Sequence, residues 1–134
     1  MRCSNLILTF VCICLWTSCD KIRVEVTPNN ITVDCQAQDL VFHSNVKYSY
    51  IDMVLNETDS PEFTRIVEDW FMTISGEWFK IEGQLHSMDN KDIKVHLDEN
   101  KGTTRQLTFS VNRREFNEYV TIVQSGASDT QRTN

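Results

Sequence analysis

From residue 22 onward, apolar residues recur at every second position far more than at helical spacing. Ile22, Val24 and Val26 alternate with Arg23 and Glu25; Pro28-Asn29-Asn30 marks a turn; Ile31, Val33 and Cys35 alternate with Thr32 and Asp34. Such alternation places one set of side chains on the buried face of a pleated strand and the other in water. The same reading predicts strands over 40–44, 48–55, 71–75, 78–81, 93–97, 107–111 and 119–124, with a polar turn over 83–91. Residues 56–68 break the rhythm. There Ser60, Pro61 and Glu62 form an N-cap, a first-turn proline and an acidic start, which predicts a short helix or an extended loop. Seven or eight short strands separated by turns predict an all-β chain, an antiparallel β-sandwich over 22–127 with a polar tail at 128–134.

The first residues follow a different pattern. Arg2 gives a positive start, residues 6–16 (LILTFVCICLW) are almost unbroken apolar, and the small Thr17 and Ser18 precede Cys19. These are the parts of a secretory signal peptide, and the run is too short for a spanning helix. The stretch Leu15-Trp16-Thr17-Ser18-Cys19 resembles a bacterial lipobox, with Trp16 where that motif carries Leu. The resemblance implies removal of 1–18, attachment of lipid (palmitate) to the Cys19 thiol with acylation of the new N-terminus, and a short tether at 19–21. The alternative is an ordinary signal peptide cut near Ser18, with Cys19 an incidental thiol.

Four of the five cysteines lie in the first nineteen residues, so a disulfide scaffold across the domain is not expected. After cleavage and lipidation only Cys35 keeps a free side chain. The net charge of −6 becomes −7 when Arg2 is lost. That acidity argues against a nucleic-acid partner and against electrostatic attachment to anionic lipid, leaving the acyl group as the expected membrane contact. The chain is long enough for one core and is expected to be a monomer.

In the C-terminal half, "DWFMTISGEWFKIEG" is followed by "IKVHLDENKGTTRQLTFSV" and "YVTIVQSGA". This order resembles the Bacteroidetes-associated carbohydrate-binding often N-terminal (BACON) domain. The family's paired tryptophans match Trp70 and Trp78, its turn matches Asn100, Gly102 and Arg105, and its ending matches Gln124 and Gly126. Residues 69–127 carry the likeness; 56–68 read as an insertion. The resemblance implies an immunoglobulin-like sandwich in an exported bacterial protein, at the outer membrane or cell surface, binding carbohydrate or mucin glycans. Many members of the family resemble spacers instead.

Catalytic chemistry finds little support. His43, His86 and His96 are scattered without ligand spacing, and there is no nucleophile–base motif or phosphate loop, so neither an enzyme nor a metal or other cofactor is expected. The acidic pairs Glu68-Asp69 and Asp98-Glu99 read as solvated turns. Sugar sites often use an aromatic platform beside amides and carboxylates, which Trp70, Phe71, Trp78, Phe79, Tyr48 and Tyr50 could supply; the candidate binding residues are Phe63, Trp70, Trp78 and Phe79. Trp78 opens an expected strand where sandwiches bury a large ring, which favours core over platform, and adjacent Trp78 and Phe79 on a strand face opposite ways. The expected function is a non-catalytic, membrane-anchored module that binds glycan or an envelope protein partner, with 56–68 as its recognition segment. The competing expectation is a structural spacer or accessory subunit.

Overall fold

The computed structural model describes residues 22–55 and 61–130; the leader, Cys19, residues 56–60 and residues 131–134 lie outside the described residues. Ten strands follow in order: β1 Val26–Thr27, β2 Asn30–Val33, β3 Gln38–Ser44, β4 Tyr50–Met53, β5 Phe63–Glu68, β6 Phe71–Gly76, β7 Phe79–Gln84, β8 Asp92–Leu97, β9 Arg105–Arg113 and β10 Phe116–Gln124. A single helical turn, α1 Ala127–Thr130, stands in part of the expected polar tail. One sheet has the order β1-β3-β8-β7-β6-β5 and the other β2-β10-β9-β4. Pairing is antiparallel except between β2 and β10.

The chain is thus an all-β sandwich. Its β1-β3-β8-β7 and β4-β9-β10 sets reproduce the ABED and CFG sheets of an immunoglobulin-type fold. The β5–β6 hairpin is added at the D-strand edge, and β2 runs beside the last strand after a cis Thr27–Pro28 bond. These additions account for the excess over seven or eight strands.

The core follows the period-two pattern. Ile93, Val95 and Leu97 of β8 meet Leu107, Phe109 and Val111 of β9, all at most 1 % exposed. Phe42 packs edge-on against Phe109, with centroids 5.9 Å apart. Tyr48 is also core. Its ring occupies the space that a side chain at Gly83 would fill, with the hydroxyl 2.5 Å from the point where a Cβ would stand. The hydroxyl donates to Asp92 O, and burial pushes its pKa up to about 12.

Two expectations need correction. Residues 63–68 form a strand, not a helix or loop: Thr64, Ile66 and Val67 are β-branched, and all six positions pair with β6. Pro61 and Glu62 precede the strand outside any helix, while Ser60 lies outside the described residues. Second, Trp78 precedes β7 instead of opening it, and Phe79 takes the inward position.

Strand direction sorts the loops into two ends. One end carries residues 22–25 leading into β1, loop 45–49, the Asp69-Trp70 turn, loop 85–91 and the Arg114-Glu115 turn. The opposite end carries loop 34–37, the start of β5, the Glu77-Trp78 turn and loop 98–104.

Candidate functional site

At the end away from residue 22, Phe63 and Trp78 come together. With Glu62, Thr64, Ser75 and Glu77 they line an open depression of about 690 Å3. Phe63 starts the edge strand β5 opposite Gly76, and the tight β6–β7 turn brings Trp78 alongside. Gly76 is required here, because a Cβ would lie 2.2 Å from the Phe79 ring. The turn can therefore close directly over Phe79, which is 3 % exposed and supports Trp78 edge-on at 5.2 Å. Phe79 has no surface to offer a ligand. Trp78 is half-buried, neither core nor open platform.

The guanidinium of Arg105 covers one side of Trp78, 4.1 Å from the ring centroid. Its Nε donates to Gln124 Oε1 at 2.9 Å and a terminal nitrogen donates to Asp98 O at 2.8 Å. Burial lowers the Arg105 pKa from its ordinary value, and the charges of Asp98 and Glu77 oppose that shift. Arg65 closes the flank, pairing with Asp52 and lying over both the Tyr50 and Phe63 rings. The depression thus presents aromatic carbon beside two carboxylates and two hydroxyls, which suits a polyol with both C–H faces and hydroxyl groups.

Behind this wall lies a buried polar knot. Gln124, fully buried, donates to Gln36 O and Asp98 O. Asn100, 3 % exposed, donates to Thr103 O, accepts from Gly102 N, and receives and gives backbone bonds to Ala127 and Cys35. A side chain at Gly126 would strike Gly102 O at 2.2 Å. Asn100, Gly102, Arg105, Gln124 and Gly126 are thus one structural clasp joining loop 98–104 to the last strand.

Trp70 stands at the other end. Asp69 and Trp70 form the two-residue β5–β6 turn with φ of 48° and 64°. Positive φ at both central positions is the geometry that usually selects Asn-Gly or Asp-Gly, so a tryptophan there is strained. Trp70 is 64 % exposed, and His86 meets it edge-on at 5.2 Å, itself at φ 57°. With Gln84, Ser87 and Asn90 they border a second open depression of about 720 Å3. The alternating pattern gave no sign of His86.

His96 bridges Asp39 at 2.7 Å and Asp98 at 3.2 Å on the outer face of the six-stranded sheet, and His43 meets Asp92 at 2.6 Å. Among the described residues no group of three or more His, Cys, Asp or Glu could hold a metal ion. Among them, too, no helix is long and apolar enough to cross a membrane.

No family model matches the chain, and no curated protein does. The fold is similar to that of a protein from Bacteroides thetaiotaomicron solved by NMR. That likeness has a TM-score of 0.55 and 14 % identity, covering 80 % of this chain and 90 % of that one. It supports the sandwich architecture alone.

Proposed function

We propose that this chain is an exported, lipid-anchored, non-catalytic module that binds carbohydrate through the depression between Phe63 and Trp78. The observation that carries the reading is the meeting of these two rings with Glu62, Glu77, Thr64 and Ser75. Aromatic carbon covers the apolar face of a sugar ring, while the carboxylates and hydroxyls take its hydroxyl groups. The BACON-like motif order and the lipobox-like Cys19 support the same reading from the sequence. Position supports it further. The described chain starts at the opposite end of the sandwich, so a domain anchored through Cys19 would hold this depression away from the bilayer.

A glycan array on the chain from Cys19 tests the proposal, with Phe63→Ala and Trp70→Gly as companions. Binding that Phe63→Ala abolishes and Trp70→Gly retains is the expected result. Loss in Trp70→Gly alone moves the site to the other end, and no binding by the parent refutes the carbohydrate reading.

A second reading, an accessory subunit of an envelope assembly, is favoured by β5. It is the edge of the six-stranded sheet, lacks Lys and Pro, and exposes Ile66 and Val67 on its two faces, 56 % and 48 % respectively. An edge of this kind accepts an added strand from a partner. Protection of the Phe63, Arg65 and Val67 amides from hydrogen exchange in the native envelope, but not in the purified protein, would support it.

A further inference from the structure

The end of the sandwich that carries Trp70 is also the end from which the N-terminal tether emerges. Asn45 fixes that exit: its side chain accepts from Glu25 N at 2.7 Å and donates to Arg23 O at 3.0 Å, while Arg23 lies over Phe116. Cys19 is three residues before Ile22. At about 3.3–3.6 Å per residue, three residues of chain reach at most roughly 11 Å.

Three exposed apolar side chains stand along the same end of the six-stranded sheet. Ile22 (52 %) leads into β1 at one margin, Met88 (69 %) caps the β7–β8 loop in the middle, and Trp70 (64 %) tips the β5–β6 hairpin near the other margin. Neighbouring strands are about 4.8 Å apart, so the row extends roughly 20 Å across the sheet. The charges on these loops balance: Arg23, Lys47, Lys91 and Arg114 stand against Glu25, Asp69, Asp89 and Glu115. The acidic excess of the chain therefore lies elsewhere and does not repel a bilayer from this end.

We propose that this end seats on the lipid surface, with Trp70, Met88 and Ile22 entering the interfacial region beside the acylated Cys19. The proposal rests on the lipid-anchor reading above, and its occupant is a lipid bilayer. Tryptophan is favoured at the membrane–water boundary, where an apolar ring meets a wet edge. Apolar side chains beside the lipidated cysteine add interfacial contact to that of the lipid itself. The seat also gives the strained Trp70 turn a purpose that the fold itself does not.

The chain from Cys19 suits the test, since residues 22–130 contain the whole described core. It is coupled through the Cys19 thiol to a maleimide phospholipid in phosphatidylcholine vesicles, with Cys35→Ala making the attachment unique. Brominated acyl chains then quench only tryptophan that reaches the interface, and subtracting a Trp70→Phe variant isolates Trp70 from Trp78. The expected result is loss of Trp70 emission on brominated vesicles with Trp78 unchanged. Equal Trp70 emission on brominated and plain vesicles overturns the proposal, as does quenching of Trp78 instead. Chemical coupling separates this from the anchor itself. Palmitate labelling that survives Cys19→Ser in cells would overturn the anchor, whatever the quenching shows.

Discussion

Arg105 lies 4.1 Å over the Trp78 ring while its Nε donates to Gln124, a fully buried side chain on the last strand. One guanidinium therefore ties the aromatic wall of the candidate site to the clasp that closes the fold. Trp78 is held on two sides, by Arg105 and by Phe79, and its exposed remainder faces the depression.

Replacing Arg105 by Lys should separate these roles. An ammonium keeps the charge but cannot serve Gln124 Oε1 and Asp98 O together while stacking on an indole. Asp98 O keeps its bond from Gln124, but leaving the buried Gln124 Oε1 unserved costs about 1–3 kcal/mol. Chemical denaturation of Arg105→Lys should show a loss in that range, whereas an unchanged midpoint would mean that the Gln124 knot holds without it.

Phe79 and Trp78 should differ sharply as alanine variants. Removing the buried Phe79 ring should cost about 3–5 kcal/mol. Truncating half-exposed Trp78 should cost about half as much, since less of the ring leaves a packed environment. Equal losses would place Trp78 in the core after all. Gly76→Ala should approach the Phe79 loss, because its Cβ would occupy the ring's position.

The sequence pattern is most informative where burial alternates without interruption. β8 alternates Ile93, Val95 and Leu97 with exposed Lys94 and His96, and was legible in full. β5 was not, because all its side chains but Phe63 are exposed and it has no buried face to advertise. The expected phase of β7, with Trp78 as the buried ring, was off by one residue: Phe79 points inward and Trp78 is half-buried. Ile81, two residues beyond Phe79 and fully buried, carried the signal for the inward choice. Of the candidate site, Phe63 and Trp78 were both singled out, but their meeting depends on the β6–β7 turn and on the strand pairing of 63–68. The Trp70 turn was illegible for a different reason: Asp-Trp is not a turn dipeptide, and only the backbone shows that it occupies one.

His96 makes stability depend on pH. Its hydrogen bond to Asp39, with a smaller contribution from Asp98, raises its pKa above the ordinary 6.5. A raised folded-state value means that folding favours the protonated ring. The stabilisation is fully present below pH 6.5 and is lost as pH rises through the raised value. The ring is exposed, so the effect is small. Proton NMR should show His96 titrating above a model peptide, and His96→Gln should flatten this part of the stability profile. Titration at or below the peptide value would contradict the Asp39–His96–Asp98 arrangement.

Trp70→Gly offers the sharpest contrast between fold and function. At φ 64° a side chain pays a steric penalty that glycine escapes, and Asp-Gly is a favoured two-residue hairpin turn. Relief of about 1 kcal/mol is expected from the backbone alone. The indole contributes little in return, since it is 64 % exposed and, among the described residues, its ring meets His86 at the surface. Trp70→Gly should therefore be at least as stable as the parent, and Trp70→Ala, which keeps a Cβ at positive φ, should be less stable than Trp70→Gly by about 1 kcal/mol. Thermal melts of the three proteins decide the matter. If glycine is the least stable, the ring holds the hairpin down. If it is the most stable, a tryptophan persists at this turn against the preference of the fold, and its value lies in what the exposed ring touches.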